Sequence, residues 1–141
     1  MIILDTDIVT LFSYGRTEKL HERIAAVEEG EELAVIIITR MEMLQGRFAS
    51  IRTAADKDEL REAMERFRKT EQLLDSFIRL DVNDAAGEQF ESLRGAKKTK
   101  NMKRGDMLIA SIALAHHALL VTRNVKDFKN VSGLRLENWA D

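Results

Sequence analysis

Short apolar runs recur along the chain, and they predict the strands of a β-sheet. Residues 1–4 form such a run without helical spacing, which is typical of a strand that is buried on both faces. Later runs are rich in apolar and β-branched residues, and the final one alternates as a strand at a sheet edge does. These later predicted strands cover residues 33–38, 77–80, 119–122 and 134–139.

Segments with helical spacing separate these runs. Apolar side chains recur on one face over residues 18–27 and 58–78, which predicts two amphipathic helices. Residues 107–115 are apolar nearly all round and predict a central, buried helix. Strands that alternate with helices are joined by crossover connections, so we expect an α/β fold with a mainly parallel central sheet of four to five strands and helices on both faces. In such folds, ligands bind beyond the carboxyl ends of the strands.

Composition narrows the class of protein. The length of 141 residues suits a single domain over residues 1–141, and 45% hydrophobic with 33% charged residues is the composition of a soluble globular protein. The absence of cysteine excludes disulfides, thiolate metal sites and cysteine nucleophiles. We expect a cytoplasmic protein without a membrane partner, because there is no basic leader and no apolar stretch near the roughly 20 residues that span a bilayer.

Four separate segments bring oxygen-bearing side chains to the same predicted edge of the sheet. Asp5 follows the first strand, Glu42 falls in the expected first turn of the next helix, and Asp106 opens the buried helix. Asn124 and Asp127 follow the fourth strand. Clustered carboxylates repel one another unless a cation compensates them, and Mg²⁺ or Mn²⁺ prefers carboxylate and water oxygens. The pattern therefore predicts a divalent-metal site.

Most of these acids also have a structural explanation. Glu42 stands three residues after Thr39, which is the spacing of a capping box. Asp106 suits a helix N-cap, and Asp127 lies in a turn-like stretch where aspartate is common. Asp5 is the exception, because it directly follows a predicted buried strand, and a helix cap seldom requires one. The metal site is thus predicted from the coincidence of several acids.

Four segments of the chain carry a family resemblance. They are ILDTD at residues 3–7, ITRMEMLQG at 38–46, DMLIASIA at 106–113 and LVTRNVKDF at 120–128, followed by Gly133, Leu134, Asn138 and Trp139. In this order and spacing they resemble the PIN-domain ribonucleases, and specifically the VapC-type toxins of bacterial and archaeal toxin–antitoxin pairs. The resemblance runs nearly end to end. It implies a PIN-like fold, an RNA substrate, a homodimer and a small cognate antitoxin that covers the acidic site.

The resemblance also implies a Mg²⁺- or Mn²⁺-dependent endoribonuclease. Asp5, Glu42 and Asp106 match the family's catalytic and metal-binding acids. The usual place of a fourth acid holds Asn124, which still offers a neutral oxygen. Asp127, one helical turn later, is the alternative for that position. A metal at these acids would lower the pKa of a bound water and neutralise charge on the scissile phosphate.

RNA binding requires a local basic patch, because the formal net charge of the chain is -2. Residues 94–104 contain six basic residues and no acid, directly before Asp106. Such a run is either a phosphate-binding surface or simply solvated. The candidate RNA contacts are Thr6, Lys97, Lys98, Lys100, Lys103 and Arg104.

Two other functions remain open on the sequence. Residues 4–9, LDTDIV, fit the motif of a haloacid-dehalogenase-like phosphohydrolase with Asp5 as nucleophile and Asp7 as acid and base. That interpretation leaves Glu42 without a role and lacks the expected second acid after Asp106, whereas in the nuclease interpretation Asp7 belongs to the first turn of a helix. The other alternative is a catalytically silent interaction module whose acids only cap helices.

Overall fold

Five short parallel strands form one sheet in the computed structural model, which describes residues 1–141. The strand order is β3-β2-β1-β4-β5, and every neighbouring pair is parallel, so β1 lies at the centre. The predicted parallel sheet and its final edge strand are confirmed. The strands are β1 (Ile2–Leu4), β2 (Leu33–Ile36), β3 (Ile78–Leu80), β4 (Leu119–Val121) and β5 (Arg135–Glu137).

Seven helices connect the strands and cover both faces of the sheet. They are α1 (Thr6–Tyr14), α2 (Glu18–Ala25), α3 (Ile37–Arg52), α4 (Lys57–Asp75), α5 (Asp84–Gly95), α6 (Arg104–Ala115) and α7 (Val125–Phe128). Because successive side chains of a strand point to opposite faces, β1 contributes to two cores. Ile3 packs with residues of α5 and α6, whereas Ile2 and Leu4 pack with residues of α1 to α4.

Helix α6 is the buried helix that the sequence predicts. Six of its residues, from Met107 to Ala113, are buried, and Ile112 has no exposed surface. The one buried hydroxyl, that of Ser111, donates to the carbonyl of Met107 at 2.6 Å, so it is satisfied within the helix. The burial of α6 fixes the position of its first turn, which carries Asp106. None of the helices combines the length and apolar character that a membrane crossing requires.

Some predicted boundaries differ from those of the structure. The apolar run 33–38 leaves the sheet at Ile36, and Ile37 begins α3. The predicted helix 58–78 ends at Asp75, because the chain turns there to enter β3, which includes Ile78. Its start is one residue earlier than predicted, since the Asp56 carboxylate accepts from the Glu59 N–H at 2.8 Å and caps the helix.

Candidate active site

A cavity of about 510 Å³ opens where β1 and β4 end and α3 and α6 begin. We call it the acidic cleft, since four of its lining residues are acids. These acids are Asp5, Asp7, Glu42 and Asp106, and Thr6, Arg123 and Asn124 also line the cleft. Asp127 does not line it.

Asp5 is held in place by two hydrogen bonds at the end of the central strand. One carboxylate oxygen accepts from the N–H of Thr6 at 2.7 Å, and the other accepts from the hydroxyl of Thr122 at 2.8 Å. The residue is the N-cap of α1, and only 6% of its surface is exposed. The expectation that Asp5 is no cap was therefore wrong. Capping and a place in the cleft coexist, because α1 starts directly at the end of β1.

Thr122 is a site residue that the sequence analysis missed. It is completely buried, and besides donating to Asp5 its hydroxyl accepts from the N–H of Asn124 at 3.0 Å. It thus links β1 to the segment that follows β4. The available signal was a hydroxyl at the end of an apolar strand run, but only the pairing of β1 with β4 reveals its partner.

Asp7 is a second site residue, and the one acid among them, that the sequence analysis did not assign to the metal site. It lies in the first turn of α1, as predicted, and also lines the cleft. Burial, and next the charge of Asp5, raise the pKa of its carboxyl above the ordinary value. One oxygen accepts from the Asn124 side-chain amide at 3.3 Å, while the other is buried without any hydrogen-bond partner. A buried carboxylate oxygen without a partner is unfavourable, so this position suits a cation.

Asp106 lies in the first turn of α6 and does not cap it. The N-cap is Lys103, whose side chain makes no capping hydrogen bond, so the predicted capping role is wrong. Burial raises the pKa of the Asp106 carboxyl, with further contributions from the charges of Asp5 and then Asp127, whereas Lys103 opposes the shift. Asp5 therefore acts electrostatically on acids from two different helices.

Glu42 lies farther along its helix than predicted. Because α3 begins at Ile37, Glu42 is in the second turn, and the N-cap Ile36 has no side-chain capping bond. The predicted capping box is therefore wrong. Thr39 is instead fully buried, and its hydroxyl hydrogen-bonds that of Thr6 at 2.9 Å, which joins α3 to α1. Glu42 itself is exposed at the mouth of the cleft.

The donor set of the acidic cleft fits a hard divalent cation. No three acidic or histidine side chains are close enough to hold a metal ion as they stand. The chemistry nevertheless matches, because one buried oxygen of Asp7 has no partner, and burial followed by the charge of Asp5 raises the pKa of both Asp7 and Asp106. Oxygen ligands of this kind are those that Mg²⁺ and Mn²⁺ prefer.

The basic run 94–104 does not form one surface beside the cleft. Lys103 lies near Asp106, and the Arg104 guanidinium lies over the Phe90 ring at 5.1 Å. Lys100 is exposed. Lys97 and Lys98 line a different cavity together with Leu114, which is two turns beyond Asp106 along α6.

Comparison with known proteins gives separate evidence on the class of protein. The PIN domain family matches residues 2–134. Ribonuclease VapC2 of Rickettsia felis is 39% identical over 90 residues, covering 57% of this chain and 67% of that protein. Ribonuclease VapC1 of Haemophilus influenzae strain R2866 is 26% identical over 98% of this chain and 97% of its own. The solved structure of VapBC-1 from nontypeable H. influenzae is 24% identical, covers all of both chains and superposes with a TM-score of 0.83. These matches favour a nuclease over a haloacid-dehalogenase-like phosphohydrolase.

Proposed function

The chain belongs to the PIN-domain family, and we propose that it is a metal-dependent endoribonuclease that acts as the toxin of a type II toxin–antitoxin pair. Relatives in the comparison are named ribonucleases, which supports RNA as the substrate. The observation that carries the proposal is the gathering of Asp5, Asp7, Glu42 and Asp106 around one cavity. None of the four acids makes a salt bridge, and one buried oxygen of Asp7 has no hydrogen-bond partner.

The acidic cleft would hold the divalent metal on which nucleases of this family generally depend. We propose Mg²⁺ or Mn²⁺, with Asp5, Asp106 and Glu42 as its protein ligands. When bound, the cation would make a water more acidic and neutralise charge on the scissile phosphate. Asp5 contributes a fixed oxygen, because the Thr6 N–H and the Thr122 hydroxyl hold its carboxylate in one orientation.

Glu42 and Asn124 complete the proposed site in different ways. The exposed carboxylate of Glu42 lines the cleft, where one oxygen would bind the metal and the other would orient the attacking water. Asn124 takes the fourth position in this proposal, because it lines the cleft and its amide already donates to Asp7. Asp127 acts from outside the cleft through its charge on Asp106.

The proposed assembly follows from the resemblance to toxin–antitoxin ribonucleases. A small cognate antitoxin would cover the acidic cleft and block RNA, and the toxin itself would form a homodimer in the cytoplasm. The cleft is open enough for such an inhibitor, since Glu42, Arg123 and Asn124 at its rim are all exposed.

Cleavage of mixed cellular RNAs tests the proposed function. The purified protein is incubated with Mg²⁺, with Mn²⁺ or with a chelator, beside Asp106→Asn and the matched control Asp127→Asn, which removes the same charge outside the cleft. We expect metal-dependent cleavage by the wild type and by Asp127→Asn, and a loss of about a hundredfold or more in Asp106→Asn. Cleavage that ignores the chelator would contradict the mechanism, whereas full activity of Asp106→Asn would contradict the residue assignment. Absence of both cleavage and metal binding would favour the silent interaction module.

A further inference from the structure

Four cations line a second cavity, which lies between α1, α3 and α4. This basic cavity has a volume of about 550 Å³, contains no acid among its lining residues and includes Tyr14 and Thr70. None of its cations makes a salt bridge, although Arg68 on the same α4 pairs with Glu65. The four cations are Arg16, Arg47, Arg66 and Lys69. Like charges gathered without partners repel one another, so the cavity favours an anion.

A middle cavity of about 330 Å³ joins the basic cavity to the acidic cleft. It shares Tyr14 and Arg47 with the basic cavity, and it shares Thr6, Thr10 and Glu42 with the acidic cleft. Residues four apart lie on one face of a helix, so Thr6, Thr10 and Tyr14 form a continuous stripe along α1. Eight residues of helix span about 12 Å. The acids and the cations therefore stand at two ends of one groove.

Tyr14 and Thr70 hold the cations in position before any ligand arrives. The guanidinium groups of Arg16 and Arg47 lie over the Tyr14 ring, at 5.3 Å and 5.9 Å from its centre. The Nε–H of Arg47 also donates to the hydroxyl of Thr70 at 3.0 Å. Gly15 ends α1 with a φ of 65°, a left-handed turn that lets the chain bring Arg16 back over the ring. Binding an anion here costs less side-chain entropy than binding one with free arginines.

We propose that the basic cavity binds phosphates of the RNA strand about 12 Å from the scissile bond, and that the groove between α1 and α3 guides the strand into the acidic cleft. This inference rests on the proposed ribonuclease function. A row of unpaired cations with an exposed aromatic ring is the chemistry that binds single-stranded nucleic acid without reading its sequence. It also replaces the run 94–104 as the main RNA contact, because that run is split between two ends of α6.

Charge removal on α4 gives the first test. The double variant Arg66→Gln/Lys69→Gln removes two cations of the basic cavity, and Lys57→Gln/Arg61→Gln removes two exposed cations of the same helix outside it. Affinity for a single-stranded RNA of about twelve nucleotides is measured by fluorescence anisotropy in a chelator, so that binding is separated from cleavage. We expect the first variant to bind about tenfold more weakly, with a salt dependence reduced by about 1.4 in slope. The control variant should bind as the wild type does.

A plug in the middle cavity gives the second test. Gly46 lines this cavity, and a Cβ placed there meets no atom within 4 Å, so a side chain enters open space. Gly46→Phe should raise the KM for long RNA about tenfold or more while leaving cleavage of a trinucleotide unchanged. Gln45→Phe is the control, because Gln45 is exposed on the same helix and lines none of the three cavities, so this variant should keep the wild-type KM.

The outcomes separate this inference from the proposed function. If the two double variants bind RNA with equal affinity, the proposal that the groove binds RNA is wrong, even when the wild type cleaves RNA. Weakened binding of Arg66→Gln/Lys69→Gln in a protein that never cleaves supports the groove and contradicts the ribonuclease. If that variant keeps its RNA affinity and KM but loses affinity for an acidic antitoxin peptide, the groove belongs to the antitoxin and the proposal is wrong.

Discussion

Replacing Thr122 with valine removes a buried hydroxyl while keeping the shape of the side chain. The hydroxyl donates to the Asp5 carboxylate at 2.8 Å and accepts from the Asn124 N–H at 3.0 Å. A hydrogen bond to a charged group contributes about 1.5–3 kcal/mol. The Asn124 N–H is only partly buried, so the loss of its acceptor adds no more than about 1 kcal/mol. We therefore expect Thr122→Val to lower the free energy of unfolding by about 2–4 kcal/mol.

Thermal unfolding measures this loss. An unfolding entropy of about 2.1 cal/mol/K per residue amounts to about 0.3 kcal/mol/K for this chain, so Tm should fall by about 7–13 °C. Thr122→Ser is the matched control, because it keeps both hydrogen bonds and loses only a methyl group. RNA cleavage should also fall further in the valine variant, since Asp5 loses one of its two anchors. Valine and serine variants that melt within about 2 °C of each other would refute the reasoning.

Four further predictions use the same assays. Without metal at neutral pH, Asp106→Asn should have a higher Tm than the wild type. The pKa of Asp106 is higher in the folded state than in the unfolded state, so its protonation stabilises the fold. This stabilisation is complete below pH about 3.9 and is lost as the pH rises through the folded-state pKa. The difference in Tm between Asp106→Asn and the wild type should vanish in acid, and a difference that grows in acid would contradict the raised pKa of Asp106. Mg²⁺ at ten times its Kd should raise the wild-type Tm by about 5 °C and leave that of Asp106→Asn unchanged. Glu42→Gln should keep the wild-type Tm, since Glu42 is exposed, but lose about a hundredfold in kcat; an active variant would remove Glu42 from the mechanism. Phe128→Ala should lose about 3–5 kcal/mol of stability, because Phe128 is fully buried beneath the segment that carries Asn124, and a Tm drop below about 3 °C would contradict this.

The sheet and its helices were predictable because burial leaves a local pattern. The apolar run at residues 1–4 predicts a strand that is buried on both faces, and Ile2 and Ile3 do pack in the two different hydrophobic cores. The apolar surface of α6 likewise reports its burial on all sides. Since parallel strands end at one edge, the approximate position of Asp5 followed from the strand pattern alone.

The boundary between β2 and α3 was not predictable from the same pattern. The apolar β-branched run continues through Ile37 and Ile38 because these first residues of α3 are still half-buried beside the sheet. Periodicity over so few residues does not separate a strand from a helix. The error placed Glu42 three residues too close to the start of α3 and produced the incorrect capping box with Thr39.

The missed parts of the acidic cleft depend on tertiary contacts. Thr122 acquires its role only because β4 pairs with β1, and the unpartnered oxygen of Asp7 is visible only once burial is known. The positive charge of residues 94–104 is evident from the sequence, but the part of the protein surface on which each basic residue lies is not. Lys97 and Lys103 are six residues apart and lie beside different parts of α6.

Calorimetric titration with Mn²⁺ tests most directly whether the acidic cleft binds a metal. The wild type, Asp106→Asn and Asp127→Asn are titrated under identical conditions at neutral pH. We predict saturable binding by the wild type and by Asp127→Asn, and a loss of that binding in Asp106→Asn. Equal Mn²⁺ affinity in all three proteins, or no binding by the wild type, would contradict the assignment of these carboxylates to a metal site.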